Sequence, residues 1–178
     1  RALAEVSRNV IASLEFGADA DIDFATKHID LPYKDIDATE LEEAHRYLAA
    51  NPMPVPGPDG RVPWQWTNSA WLASKELERK REVELDYEIQ VLRIGDTAFV
   101  GLPGEPFAEG GIAIKMASPA RLTYIVHCTT QYVAYLPPQD AIPRGGHEVV
   151  FSKFVPNALD RIIAAAGELL QEVFARKI

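Results

Sequence analysis

The sequence predicts an α/β fold, with α+β as the alternative, built as a mixed sheet flanked by helices. Helical and strand-like patterns interleave along the 178 residues, which is typical of these classes. Two strand-like runs, residues 87–93 and 97–102, flank Gly95-Asp96, a pair suited to a type II′ hairpin turn. The second run is apolar on both faces, which indicates a central strand.

Composition limits both the organisation and the partners. A hydrophobic content of 47% supports one core, so residues 1–178 are expected to form a single domain or a large part of one. The formal net charge of −8 argues against a nucleic-acid partner, because no basic surface is available to neutralise phosphates. No apolar run reaches the roughly 20 residues of a transmembrane segment. The single cysteine excludes an internal disulfide.

Helices dominate the predicted elements before the hairpin. Apolar residues at three- and four-residue spacing predict a helix over residues 2–16, and alternation predicts a strand within residues 19–32. Thr39 and Glu42 form a capping-box pattern that opens a helix ending near residue 51. A further charged helix is predicted over residues 68–82.

Residues 51–63 hold five prolines and two glycines, which predicts an extended loop. This loop is either an exposed surface excursion or a lid or partner-contacting arm. Trp64 and Trp66 follow it directly, and aromatic side chains beside a loop favour the contact interpretation.

A second group of elements follows the hairpin. Residues 122–128 predict a strand whose buried face carries Leu122, Tyr124, Val126 and Cys128. The wide apolar stripe of residues 157–175 predicts a last helix that packs on the sheet. The four histidines show no spacing typical of a metal pair, and His28 and His45 are expected to be surface residues.

The candidate site lies between residues 98 and 148, where three reactive groups follow apolar strands at sharp turns. Glu105 stands at the exit of a Pro-Gly turn, Tyr132 and Tyr135 precede Pro137-Pro138, and His147 follows two glycines. Loops that leave a sheet often carry catalytic groups. By spacing alone, Glu105 is equally consistent with a helix cap at the start of a helix over residues 107–117.

Residues 89–174 resemble the second half of the catalytic domain of the neutral/alkaline, non-lysosomal ceramidase family. The resemblance rests on IGDTAFVGLPGEPF, on QYVAYLPP and on RGGHE, in that order, followed by the long last helix. Such a chain would be the C-terminal part of a ceramidase-like catalytic domain. Family members are zinc amidases that cleave the N-acyl bond of ceramide, and the resemblance implies a soluble protein, secreted or periplasmic.

The resemblance also implies roles for individual residues. Glu105 and Tyr135 match two Zn²⁺ ligands, and Tyr132 is expected to line the substrate site or to pack. His147 stands where the family has a tyrosine that donates a hydrogen bond to the developing oxyanion. The family's two histidine ligands belong to motifs absent from this sequence, so a companion chain or an N-terminal segment is expected to carry them.

The implied reaction is metal-assisted hydrolysis of an N-acyl amide or lipid. A zinc-bound water has a pKa near 7, and one oxyanion donor such as His147 is worth roughly 3 kcal/mol in other hydrolases. Two protein ligands are too few to hold zinc tightly, so the chain alone is not expected to be a competent enzyme. The alternatives are a divergent, non-catalytic binding or structural module of the same fold, and an amidase with a small non-lipid substrate.

Overall fold

Four strands form a mixed sheet in the computed structural model, which describes residues 2–15, 17 and 20–176. The strand order is β1-β2-β3-β5, with antiparallel pairing along β1-β2-β3 and parallel pairing between β3 and β5. Two short strands, β4 and β6, pair in parallel as a separate ribbon. The strands are β1 Ile22–Pro32, β2 Glu84–Ile94, β3 Thr97–Leu102, β4 Glu105–Pro106, β5 Leu122–His127 and β6 Tyr135–Leu136.

Six helices and one 3-10 turn accompany these strands in the described ranges. The helices are α1 Ala2–Ala12, α2 Ala38–Ala50, α3 Trp64–Arg81, α4 Ala108–Ala117, α5 His147–Val150 and α6 Ala158–Ala175, with the 3-10 turn at Gln139–Arg144. A mixed sheet flanked by helices confirms the predicted fold class. None of the helices in residues 2–15 and 20–176 is long and apolar enough to cross a bilayer.

Helix α6 covers one face of the sheet, as its apolar stripe predicts. It packs across β1 and β2, and Ile162, Ala166 and Leu170 are fully buried within one core with the inward residues of the strands. Lys27 of β1 forms an ion pair with Glu168 of α6, which fastens the helix over that strand. The core therefore lies between α6 and a single face of the sheet.

The hairpin between β2 and β3 confirms the predicted turn. Ile94 pairs with Thr97, which leaves a two-residue loop at Gly95 and Asp96. Gly95 has φ +59°, whereas Asp96 has no positive φ, as a type II′ turn requires at these positions. The turn matches the right-handed twist of the strands and fixes their register.

Three predicted helix boundaries need correction. Helix α2 begins at Ala38, and its cap is Asp37, whose carboxylate accepts from the amides of Thr39 and Glu40. The capping box at Thr39 is therefore wrong, because a stronger capping residue lies two positions earlier. Helix α3 begins at Trp64 rather than at residue 68, and α1 ends at Ala12 rather than at residue 16. Phe16 and Asp19, two predicted boundaries, lie outside the described residues.

The predicted buried face of β5 is also wrong. Leu122, Tyr124 and Val126 are 42%, 48% and 42% exposed, and Cys128, beyond the end of the strand, is exposed too. The opposite side, with Ile125, contacts the core. The reason is that β5 is an edge strand and its apolar side belongs to the sheet face that α6 does not cover.

The remaining surface predictions can be read directly from the structure. Residues 51–63 contain no helix or strand, and the indole of Trp66 donates to the carbonyl oxygen of Asn51, which ties the end of this segment to its beginning. The exposed His28 has its Nδ1 2.8 Å from Oδ1 of Asp86, and the exposed His45 has its Nε2 3.0 Å from Oε2 of Glu76. Both histidines are surface residues, as expected.

Candidate functional site

The Pro-Gly turn after β3 holds the candidate site in place. Gly104 has φ +67°, and a Cβ at this position would lie 2.6 Å from the carbonyl oxygen of Ala134 and from Val133. Only glycine fits such a close backbone approach. The hydroxyl of the fully buried Tyr87 donates to the carbonyl oxygen of Pro103 at 2.8 Å. The buried core thus holds the Pro-Gly turn in place, which fixes the position of the Glu105 backbone directly after the turn.

Glu105 and Tyr135 are paired residues of the β4-β6 ribbon. Their Cα atoms are register partners, and the amide of Glu105 donates to the carbonyl oxygen of Ala134 at 2.9 Å. Side chains of residues paired across neighbouring strands project to the same side. The ribbon therefore brings together two residues that are 30 positions apart in the sequence, a carboxylate and a phenol.

Tyr132 completes a hydrogen-bonded group with Glu105. Its hydroxyl donates to Oε1 of Glu105 at 2.9 Å. This hydrogen bond to a carboxylate is the main reason that the pKa of Tyr132 rises to about 12, with smaller contributions from desolvation and from the charges of Glu105 and Tyr135. The Tyr132 phenol consequently remains a donor at neutral pH.

The helix-cap alternative for Glu105 does not fit the structure. Helix α4 begins at Ala108, its N-cap position is Phe107, and no side chain makes a capping hydrogen bond there. The Glu105 carboxylate instead accepts from Tyr132. The acidic side chain in the first turn of the helix is Glu109.

The loop between β5 and β6 is strained. Cys128, Thr130 and Ala134 all have positive φ, between +55° and +64°, which non-glycine residues rarely adopt. The loop is bound to the Pro-Gly turn by the amide of Cys128, which donates to the carbonyl oxygen of Gly104 at 2.8 Å. Backbone strain of this kind concentrates at functional sites, where the surrounding contacts hold it.

His147 lies beside Tyr135 at the start of α5. Gly145 and Gly146 have φ +66° and +104°, so these glycines make the sharp turn that aims the chain into the helix, as predicted. The ring centroids of His147 and Tyr135 are 5.9 Å apart in an edge-to-face arrangement. The imidazole is exposed, which leaves it accessible to a bound molecule.

Two aromatic residues that the sequence did not assign to the site complete its wall. Trp71 of α3 and Phe151 after α5 pack edge-to-face, with their ring centroids 5.2 Å apart. The ring centroids of Phe151 and His147 are 4.6 Å apart. A cavity of about 150 Å³ is lined by these two residues together with Tyr132, Ala134, Tyr135 and His147. The four-residue spacing of His147 and Phe151 was the one local signal for this wall.

The structure therefore brings the predicted residues together around one cavity, with Glu105 joined to it through Tyr132. Within residues 2–15, 17 and 20–176, no three His, Cys, Asp or Glu side chains are grouped so that they could hold a metal ion. The oxygen donors that could contribute to a metal are Glu105 and Tyr135, and His147 offers a nitrogen. The metal and catalytic roles of these residues remain predictions.

Comparisons with known proteins concern the fold. No protein-family model matches the sequence, and no curated protein matches it. The structure is similar to one described as ceramidase complexed with C2, with a TM-score of 0.51, 15% identity and coverage of 88% of this chain and 30% of that chain. Neutral ceramidase from Pseudomonas aeruginosa matches with a TM-score of 0.49, 16% identity and coverage of 86% and 29%.

The match to the ceramidase complexed with C2 supports the ceramidase resemblance at the level of the fold. The more similar of the two structures covers most of this chain at low identity, so the argument from it stops at the fold. The chain spans about 30% of the length of that ceramidase chain.

Proposed function

We propose that this chain forms part of a ceramidase-like amidohydrolase that cleaves an N-acyl amide, with a ceramide-like lipid as the substrate class. The observation that supports this most is the arrangement around the β4-β6 ribbon. Glu105 and Tyr135 are register partners there, and the Tyr132 hydroxyl donates a hydrogen bond to the Glu105 carboxylate. The His147 ring packs edge-to-face against the ring of Tyr135. The ceramidase-like fold, reached independently of the motifs, is the second support.

The donor set fits a zinc ion that is completed by ligands from another segment. Glu105 offers a carboxylate and Tyr135 a phenol on the same side of the ribbon. Zinc accepts carboxylate oxygen and imidazole nitrogen, and it prefers four ligands. A companion chain or N-terminal segment would supply the histidines. Zinc bound here would contribute Lewis-acid activation of a water molecule at neutral pH.

The other side chains have distinct tasks in the hydrolysis. Addition of water to the amide carbonyl carbon breaks a water O–H bond and places negative charge on the carbonyl oxygen. Collapse of this adduct breaks the C–N bond, and the proton lost by water ends on the nitrogen of the departing amine. His147 donates a ring N–H to that oxygen, and Tyr132 keeps Glu105 oriented through its hydrogen bond. Trp71 and Phe151 provide apolar surface against which an acyl chain can lie.

Metal content of the complete protein tests the proposal. Glu105→Ala should lower bound zinc from about one per protomer to a small fraction, because it removes the anionic ligand, and it should leave folding largely intact. Glu109→Ala is the matched control, since this exposed carboxylate lies four residues away in α4. Full zinc occupancy in Glu105→Ala would contradict the metal role.

Activity of the His147 variants on a panel of N-acyl amides separates the remaining functions. His147→Ala should lower turnover about a hundredfold, as loss of an oxyanion donor does elsewhere, and His147→Tyr should recover part of it. Hydrolysis of short, water-soluble amides with no preference for lipids would favour the small-substrate amidase. Absence of both zinc and hydrolysis would favour the binding or structural module.

A further inference from the structure

A second pocket lies apart from the candidate site, between α2, α3, α5 and residues 34–37. Its cavity of about 370 Å³ has the size of a small-molecule site. Ile36, Trp64, Leu72 and Val150 give it apolar walls. It shares no lining residue with the cavity beside His147, so the two sites are separate in the structure.

Lys75 of α3 is the unusual side chain in this pocket. It is only 7% exposed, and its ammonium makes no hydrogen bond or ion pair within the part of the chain that the structure describes. Other half-buried lysines differ: Lys34 donates to Ser152 at 3.0 Å, and Lys153 pairs with Glu78 at 2.8 Å. The Lys75 side chain is thus largely desolvated, although its nitrogen is not fully enclosed, and a charge in such a place gains from a compensating partner.

The charges around Lys75 do not compensate for its burial. Burial is the main reason that the pKa of Lys75 falls to about 8, and the positive charges of Lys34 and Arg79 lower it further. Glu40 and Glu78 act in the opposite direction and are too weak to restore the ordinary value. Near neutral pH the ammonium is therefore still charged and would gain from an incoming anion.

Three carboxylates line the pocket, those of Asp35, Asp37 and Glu40, and the two aspartates already have partners. Asp37 caps α2 through its hydrogen bonds to the amides of Thr39 and Glu40. Asp35 accepts from Arg79 at 2.8 Å. Glu40 is exposed to water and Lys34 already donates to Ser152, which leaves Lys75 as the largely buried charge in the cavity without a bonded partner among the described residues.

We propose that this pocket binds a small amphipathic carboxylate, with its anionic group on the ammonium of Lys75 and its apolar part against Trp64, Leu72 and Val150. Pairing with a carboxylate relieves the desolvation cost of the ammonium, and apolar contact favours a hydrocarbon body over a bare ion. The net charge of −8 disfavours unspecific attraction of anions. The site goes beyond the hydrolytic function and does not depend on it.

Calorimetric titration of the complete protein at pH 7 with octanoate, 1-octanol and inorganic phosphate tests the site. Octanoate should bind at least tenfold more tightly than the other two. Lys75→Met should lower the affinity for octanoate at least tenfold and remove its advantage over octanol. Lys80→Met is the matched control on the same helix, since Lys80 is 64% exposed and paired with Glu76, and it should behave as the parent.

A second measurement needs no variant. In protein with ¹³C-methylated lysines, octanoate should raise the apparent pKa of Lys75, because the bound carboxylate stabilises the ammonium form over the neutral amine. Lys34, Glu40, Glu78 and Arg79 are the charged groups nearest to Lys75, and all are present in both samples. Equal octanoate affinity in Lys75→Met, absence of binding, or phosphate binding as tight as octanoate would each overturn the proposal.

Discussion

The two faces of the main sheet are built from alternate residues of the same strands, yet one face is buried against α6 and the other is exposed to solvent. On the covered face, Leu31, Tyr87 and Ile89 are fully buried against the α6 side. On the open face, one row of register partners runs Phe24, Leu92, Phe99 and Tyr124 across four strands. Phe24 is 69% exposed and Leu92 39% exposed.

This contrast teaches that hydrophobicity does not by itself assign a strand residue to the core. Both faces are apolar near the hairpin, and Phe99 and Tyr124 stack at 5.2 Å on the open side. The free energy of burial depends on the area that another element removes from water, and α6 removes it from one side only. Stability of the isolated chain should therefore rest on the covered face.

Leucine truncation on the two faces gives the largest expected difference. Leu31→Ala should destabilise the chain by about 3 kcal/mol, because a fully buried leucine leaves a cavity in the core. Leu92→Ala removes the same atoms from a 39% exposed position and should cost about 1 kcal/mol or less. Urea unfolding of both variants measures the difference, and equal losses would mean that the open face is packed as tightly as the core.

Local pattern was enough to predict the strands and not enough to predict which face is covered. The β2-β3 hairpin followed from the alternation around Gly95-Asp96, a signal contained within a few residues. The face of β5 was missed, because Leu122, Tyr124 and Val126 have core-like hydrophobicity and only the position of α6, more than 30 residues later, leaves them in water.

The candidate site divides in the same way. The Pro-Gly turn, the tyrosine pair and the His147 turn could be found from motifs and resemblance. The contact between Trp71 and Phe151 depends on how α3 packs against the chain after α5, which the spacing of His147 and Phe151 does not specify. Lys75 was missed for the same reason, since a lysine in a charged helix is expected on the surface.

Burial of a charged side chain lowers the free energy of unfolding, whereas burial of an apolar side chain raises it. The pH dependence of stability measures this effect for Lys75. Its folded pKa of about 8 lies below the ordinary lysine value of 10.5, so the unfolded chain binds more protons between these two pH values. Wild-type stability should therefore rise with pH between about 8 and 10.5. One pKa unit corresponds to about 1.36 kcal/mol, and solvent screening of the partly accessible ammonium lowers the expected gain relative to Lys75→Met to about 2 kcal/mol.

Comparing wild type and Lys75→Met over the same pH series removes the contributions of the other ionisable groups, which are the same in both proteins. Lys75→Met should also be the more stable protein at pH 7, because it removes the buried ammonium. Parallel stability curves for wild type and variant from pH 7 to 10.5 would mean that Lys75 is solvated.

Hydroxyl removal on the two faces should give a smaller difference. Tyr87→Phe leaves the carbonyl oxygen of Pro103 without its donor and should cost about 1–2 kcal/mol. Tyr124→Phe, on the open face at 48% exposure, should change stability by less than about 0.5 kcal/mol. Chemical denaturation of both variants checks this, and a neutral Tyr87→Phe would show that the core does not support the Pro-Gly turn.

The smallest effect on stability is expected for Phe24→Thr, in the edge strand β1 on the open face. Phe24 is 69% exposed, so the free energy of unfolding should change by about 0.5 kcal/mol or less, and threonine retains a high strand propensity. An exposed apolar row binds hydrophobic dyes and promotes self-association, and both should decrease in this variant. Ile125→Thr, on the covered side of the edge strand, is the control: it should destabilise the chain without reducing dye binding in the folded state. If Phe24→Thr instead lost more than about 2 kcal/mol with unchanged dye fluorescence, the two faces would be equally covered in solution, and the distinction between them would fail.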